Sequence, residues 1–242
     1  MKVALISDIH GNLEALSAIL REIEQLQVDD IFCLGDVIGY GCDPGACLDL
    51  VDKYASVKLM GNHEFAVLKR LSTDSYTPAA KVSTEWTKQQ LTDRELTMIA
   101  EYQMLHEFEG ITLVHSSPVA PDKWQYILSA DQAEPAFDHF SGNICFYGHT
   151  HMPMIFREMP DSSPRQQTGH DFDPADDTRY LVNIGSVGQP RDNDPRACFV
   201  SYDLENSEIK FHRVEYDITK TQGKMTNAEL PDVLVQRLAV GR

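Results

Sequence analysis

Asp8-x-His10 stands directly behind a short apolar run, and comparable groups return four times: Asp36 after Gly35, Asn62-His63-Glu64 after Gly61, His115 after Ile111–Val114, and His149-x-His151 after Gly148. Carboxylate, carboxamide and imidazole groups are metal ligands by type. A mixed oxygen and nitrogen set without cysteine suits Mn, Fe, Zn, Ni or Co better than Ca or Mg. Asp8, His10, Asp36, Asn62, His115, His149 and His151 make seven donors. One ion takes only about four to six, so the set suits two ions bridged by a carboxylate. Asp36, between the two groups of donors, is the candidate bridge. Two such ions, about 3.5–4 Å apart, would acidify a shared water, clamp a phosphoryl oxygen and stabilise charge during in-line attack at phosphorus. The leaving oxygen still needs a proton, and His63, next to Asn62, is the candidate general acid. Arg191 is a candidate for binding substrate phosphate through its planar guanidinium, with an ion pair to Asp192 or Asp194 as the equally weighted alternative. Tyr40 and Trp124 are either stacking platforms or packing.

Elements must bring these residues together. Lys2–Ser7, Asp30–Leu34 and Val57–Met60 read as strands. Between them lie an amphipathic helix with Leu13, Leu16, Leu20 and Ile23 on one stripe and a second helix over Pro44–Val51. This interleaving predicts parallel pairing. Residues 64–102 predict a helical elaboration, with helix starts at Thr77-Pro78 and Thr92. Strands resume at Ile111–Val114 and Ile144–Tyr147. Tyr180–Ile184, Ala197–Tyr202 and Glu208–Val214 predict an antiparallel second sheet, and Asn227–Leu238 a final helix. The polar stretch Arg157–Arg179 predicts an exposed, mobile loop. Five strands thus end in ligand-type groups, and in α/β sheets such ends converge on one edge. One polar residue behind a strand is ordinarily a turn or cap; five in order weigh against that reading. His106, His139, His170 and His212 lack this context, and Glu64 reads as a capping or orienting residue.

The chain has 242 residues, 37 acidic against 21 basic side chains and a formal net charge of −16, a balance against nucleic acid or anionic membrane as partners. Any phosphate site needs local positive charge. The cysteines Cys33, Cys42, Cys47, Cys145 and Cys198 are odd in number and scattered, as in a reduced cytoplasmic protein. No stretch is long and apolar enough to span a bilayer. The length fits a single domain over 1–242.

Asp8-Ile9-His10-Gly11-Asn12, Gly35-Asp36, Gly61-Asn62-His63-Glu64, His115 and Gly148-His149-Thr150-His151 resemble, in order and spacing, the calcineurin-like metallophosphoesterase superfamily. Weaker similarity continues through Asn183–Pro190, and the small YfcE-like phosphodiesterases of bacteria and archaea are the nearest in pattern. The resemblance implies an α/β fold, an αββα sandwich of two mixed sheets flanked by helices. It implies one ion on Asp8, His10, Asp36 and His151, and another on Asp36, Asn62, His115 and His149. The implied activity is hydrolysis of a small or nucleotide-like phosphodiester or phosphomonoester. A non-catalytic interaction scaffold, like a retromer subunit that resembles this fold, and a serine/threonine-type phosphoprotein phosphatase are the alternatives. Where protein phosphatases of the superfamily continue G-D-x-V-D-R-G, this chain reads Gly35-Asp36-Val37-Ile38-Gly39-Tyr40-Gly41, without the arginine. The usual His-Gly is here His115-Ser116, whose hydroxyl either narrows the turn or faces substrate.

Overall fold

A computed structural model of the chain describes residues 1–74, 76–167 and 171–242. Side-chain alternation decides its layers. In β1 (Lys2–Ile6), Val3 and Leu5 pack on one side, Ala4 and Ile6 on the other, as the two-residue period of a strand demands. Helices α1 (Leu13–Leu26) and α2 (Pro44–Tyr54) separate β1 from β2 (Asp30–Cys33) and β3 (Val57–Lys58), and the three strands pair in parallel. After β3 come α3 (Asn62–Val67), α4 (Pro78–Gln90) and α5 (Asp93–Ala100). Thr77 and Thr92 cap the last two as expected, accepting from the N–H groups of Ala80 and Glu95.

The remaining elements are β4 (Leu105–Phe108), β5 (Ile111–Val114), α6 (Ala130–Phe137), β6 (Ile144–Tyr147), β7 (Met154–Glu158), β8 (Pro164–Gln167), β9 (Tyr180–Asn183), β10 (Ala197–Asp203), β11 (Glu208–Val214), α7 (Ile218–Asn227) and α8 (Asp232–Arg237). One mixed sheet runs β11-β10-β1-β2-β3 and the other β4-β5-β6-β9-β7-β8. Val3, Leu5, Phe32, Leu113, Phe146 and Val182 fill the space between the sheets. Leu16, Ile19 and Leu48 cover the first sheet's outer face, and Ala133 and Phe137 that of the second. The result is the expected αββα sandwich. No helix of the described residues is long and apolar enough to cross a membrane.

Several expectations are corrected. The three late strands do not form a sheet of their own: β10 joins the first sheet antiparallel to β1, with β11 antiparallel to β10, whereas β9 lies parallel to β6 in the second. Local alternation establishes a strand but is silent on its partner. The stretch 157–179 is not loop throughout, because Arg157 and Glu158 finish β7 and β8 returns against it. His170 lies outside the described residues. The final helix is instead α7 followed by α8, broken ahead of Pro231, which cannot continue a helix from Leu230. The third strand stops at Lys58, with Leu59 making a single bridge to Gln103.

Glu14 ties the C-terminal helices to the sandwich. Its carboxylate meets Lys220 and Lys224 at 3.1 Å, and Lys224 also pairs with Asp43. Burial, the largest influence on this carboxyl, favours the neutral form, but the two lysines overcome it and the pKa falls below the ordinary 4.5. A depressed acid contributes stability above its unfolded pKa and loses it as pH falls through the folded value. Glu14→Gln is therefore expected to speed amide exchange across 218–227 at neutral pH while the β1 and β2 amides keep their protection. Uniform exchange rates in the two proteins would refute this anchoring role.

Candidate metal centre

The groups that could do chemistry stand where the parallel strands end. Asp8 and His10 follow β1, Asp36 follows β2, Asn62 and His63 open α3 behind β3, His115 follows β5, and His149 and His151 follow β6. The chain must turn back sharply at each place. Asp8, His10, Asp36, His149 and His151 all have left-handed backbones, with φ of 54°, 50°, 51°, 64° and 61°. Side chains disfavour that region by about 1–3 kcal/mol per residue, and such strain concentrates at functional sites. Backbone bonds between the loops hold it: Asp8 N–H donates to Gly35 O at 3.0 Å, and His10 N–H to Asp36 O at 3.0 Å. A Cβ at Gly61 would overlap the Asp36 carboxylate, and one at Gly39 (φ 86°) the His63 ring.

Second partners fix how each donor faces. His10, His115 and His151 place Nδ1 against the carbonyls of Ile38, Leu34 and Gln189 at 3.0, 2.8 and 2.7 Å. Carbonyls only accept, so Nδ1 carries the proton and Nε2 presents its lone pair. His149 is reversed, with Nε2 on Trp124 O at 3.0 Å and Nδ1 turned inward. The carboxylates divide their oxygens likewise. Asp8 Oδ2 accepts from His149 N–H and Asp36 Oδ1 from His63 N–H, both at 2.9 Å. Asp8 Oδ1 then faces His151 Nε2 at 3.3 Å and His10 Nε2 at 3.8 Å. Asp36 Oδ2 faces His115 Nε2 at 3.3 Å and His10 Nε2 at 3.8 Å, so it looks toward both groups.

This geometry suits cations. Asp8 Oδ1, Asn62 Oδ1 and His115 Nε2 are buried without a hydrogen-bond partner. The Nε2 atoms of His10 and His151 lie 3.0 Å apart, lone pair toward lone pair in the neutral tautomers. Asp8–His10–His151, His10–Asp36–His63 and Asp36–His115–His149 are three groups that could hold a metal ion. Pinning the far ring nitrogen to a carbonyl is the ordinary way a metal-binding imidazole is oriented. Burial, then neighbouring imidazoles or Arg191, lowers the pKa of His10 and His151 and pushes His149 down to about 3, favouring the neutral form a ligand needs. Burial opposes charging His115 as well, but Asp36 overrides it and lifts that ring to about 9, so its Nε2 offers a lone pair only once that proton is displaced.

A calcineurin-like phosphoesterase superfamily domain matches residues 1–207. The chain belongs to that superfamily. A metallophosphoesterase from Sphaerobacter thermophilus shares 40% identity over 100% of this chain and 99% of its own, with a TM-score of 0.88. The uncharacterized protein MJ0912 of Methanocaldococcus jannaschii is 34% identical over 99% of this chain and 98% of its own length. YfcE, a phosphoesterase from E. coli, aligns with 89% of this chain and 100% of its own at 18% identity and a TM-score of 0.46. Metallophosphoesterases use divalent metals, which accords with the clustered His and Asp donors.

Six of the seven expected donors of this superfamily member, Asp8, His10, Asp36, His115, His149 and His151, converge, and His63 joins them, its ring edge-on to His10 at 4.9 Å. Asn62, which opens α3, gives Nδ2 to Tyr76 Oη at 2.9 Å, and its Oδ1 is buried without a partner. Arg191 does not pair with its acidic neighbours, since Asp192 pairs with Arg213 and Asp194 with Arg196. Tyr40 packs on His10 and His63 at 4.6 and 4.5 Å. Trp124 is buried beside Phe65 and supports His149 through its carbonyl. Ser116 turns its hydroxyl to Pro121 O, away from the centre. His106, His139 and His212 bond elsewhere, to Gln103, Pro135 and Ser201. Sequence reasoning missed Tyr126, half-exposed and stacked on His149 at 4.3 Å; nothing in its local pattern marks it.

Glu64 does more than cap. Its carboxylate accepts from the N–H groups of Asp36, Val37, Ile38 and Gly61 at 2.9, 2.8, 3.2 and 2.9 Å. Burial and the nearby Asp36 push its pKa up to about 7, against the pull of these donors. A carboxamide offers one acceptor oxygen and two unwanted N–H groups. Glu64→Gln is expected to cost about 3 kcal/mol, lowering the melting temperature by about 6–12 °C. A calorimetric midpoint within a degree of wild type would count against the staple.

Proposed function

We propose that the protein is a dinuclear-metal phosphoesterase acting on a small or nucleotide-like phosphate ester, with diesters the favoured class. The observation that carries this reading is the set of buried Asp and His groups that share Asp36 or His10, with Asp8 Oδ1, Asn62 Oδ1 and His115 Nε2 buried and without a hydrogen-bond partner. In this reading Asp8, His10, Asp36 and His151 hold one ion, and Asp36, Asn62, His115 and His149 the other, with Mn, Fe, Zn, Ni or Co as the candidates. When bound, such ions supply an acidified water and positive charge toward the phosphoryl oxygens. The protein side chains do the rest. Asp36 and Asp8 are held by backbone N–H groups that leave one oxygen each for the centre. His63 delivers a proton to the leaving oxygen, and Arg191 binds phosphoryl oxygen through its fork.

The alternatives are weaker. A scaffold has no need of a complete ligand set, and every one of the seven positions is filled. A protein phosphatase of the superfamily would carry an arginine where Gly39-Tyr40-Gly41 stands. A net charge of −16 disfavours nucleic acid, and the scattered cysteines, all free, fit a cytoplasmic setting. In this reading residues 1–242 form one domain, which the packing of Tyr40, beside the centre, on the cluster of Met225 and Leu234 in the C-terminal helices supports.

Chelator-stripped protein is expected to regain hydrolysis of bis-p-nitrophenyl phosphate when Mn, Ni, Co or Zn is added back, with p-nitrophenyl phosphate turned over more slowly. Asp36→Asn should lower the restored kcat/KM by about a hundredfold or more. Full activity in that variant would refute the bridge, and no turnover with any metal in folded protein would favour the scaffold. His63→Ala is expected to slow alkyl esters at least about tenfold more than nitrophenyl esters, whose leaving groups need no proton. Equal losses on both would show that His63 is not the acid.

A further inference from the structure

Two guanidinium groups share one neutral acceptor at the edge of the centre. Arg191 Nη2 and Arg237 Nη1 both donate to Gln189 Oε1, at 2.8 and 3.0 Å. Neither pairs with an Asp or Glu among the described residues, although the chain carries 37 acidic side chains; Arg237 Nε donates instead to the main-chain oxygen of Arg242. Asp192 and Asp194, the acids nearest in sequence to Arg191, are taken by Arg213 and Arg196. Arg191 Nε is buried without any hydrogen-bond partner. Adjacent like charges repel, and an ordinary surface would separate them or supply a counter-ion. Here a carboxamide bridges both guanidinium groups, and no side-chain carboxylate among the described residues neutralises either.

Position gives the pair its meaning. Arg191 N–H donates to His151 O at 3.1 Å, and its guanidinium carbon lies 5.7 Å from the Tyr40 ring centre, the ring that packs on His10 and His63. Arg237 comes from α8, beyond residues 1–207 matched by the superfamily domain. Its segment is strapped to the Arg191 loop: Asn193 N–H donates to Gly241 O and Arg242 Nε to Asn193 Oδ1, both at 2.9 Å. Met225, Leu234 and Leu238 pack with Tyr40 beneath. The C-terminal helices thus deliver a second fixed cation one step outward from the first.

We propose that Arg191 and Arg237 form a two-guanidinium clamp for a diphosphate group, Arg191 on the phosphate beside the metal ligands and Arg237 on the adjacent one. The inference rests on the phosphoesterase reading and narrows its substrate to esters carrying a second, neighbouring phosphate. Planar guanidinium forks match phosphate oxygens two at a time, and two forks side by side match two linked phosphates.

The test is calorimetric titration of metal-loaded protein, freed of excess ion, with methylenediphosphonate and with methylphosphonate, neither of which can be hydrolysed at its P–C bonds. Wild type is expected to bind the diphosphonate at least about tenfold more tightly. Arg237→Gln should weaken diphosphonate binding at least about fivefold more than methylphosphonate binding. Gln189→Glu, which gives both forks an internal counter-ion, should produce the same selective loss and stands in if the first variant misfolds. Equal affinity for the two ligands in wild type, or equal losses in the variants, overturns the clamp. Metal-restored hydrolysis of nitrophenyl esters, run alongside, separates the two readings. Its presence with no diphosphonate preference removes only the clamp, whereas its absence together with no phosphonate binding removes the phosphoesterase reading as well.

Discussion

Four backbone N–H groups closing on the Glu64 carboxylate determine where the centre can form. Three come from the turn after β2 and one from the turn after β3, so a single side chain sets the spacing of the loops that carry Asp36 and Asn62. Asp36 has a left-handed backbone and no side-chain freedom to spare, with Oδ1 committed to His63 N–H. Were the staple to slacken, Asp36 would relax toward an ordinary turn and its second oxygen would leave the midpoint between the two imidazole groups. Strain at five candidate ligand positions is tolerable only because such bonds over-determine the loops that bear it.

The parallel strands also place the donors around that midpoint. β1 and β2 bring Asp8, His10 and Asp36 from one sheet, and β5 and β6 bring His115, His149 and His151 from the other. Because the sheets pack face to face, their C-terminal edges meet, and the Asp and His groups of both sheets come together there. The apolar layer between them, Leu5, Phe32, Leu113 and Phe146 among its members, therefore holds the two halves of the centre at a fixed separation. Packing and chemistry are one constraint seen from two ends.

Much of this was legible from residue order, and the reasons for what was not are physical. Alternation along Val3–Ile6 and the 3–4 spacing of Leu13, Leu16, Leu20 and Ile23 encode local periods, so the first strand and helix are readable. The donors are readable because ligand chemistry restricts residue type and each follows a strand. The partner of β10 is not, since its register depends on β1, some two hundred residues away in sequence, and nothing local names that partner. The same holds for Tyr126 on His149 and for Arg237 beside Arg191, contacts between segments whose own patterns are unremarked surface. Glu64 lay between these cases. Its place three residues after Gly61 has capping-box spacing, but the bonds to Asp36, Val37 and Ile38 exist only once β2 and β3 are paired.

The charge distribution completes the argument. A chain with net charge −16 repels phosphate at long range, so whatever attracts it must act at short range and be sheltered from the surrounding carboxylates. Asp192 and Asp194 lie close enough in sequence to neutralise Arg191, and the fold diverts both. β10 and β11 bring Arg213 to Asp192, and a local turn gives Asp194 to Arg196. Gln189 then steadies Arg191 and Arg237 as a dipole rather than a charge. The cationic rim thus survives in an acidic molecule because the nearby acids are occupied elsewhere, and a change that released Asp192 would cancel it without touching a single donor of the centre.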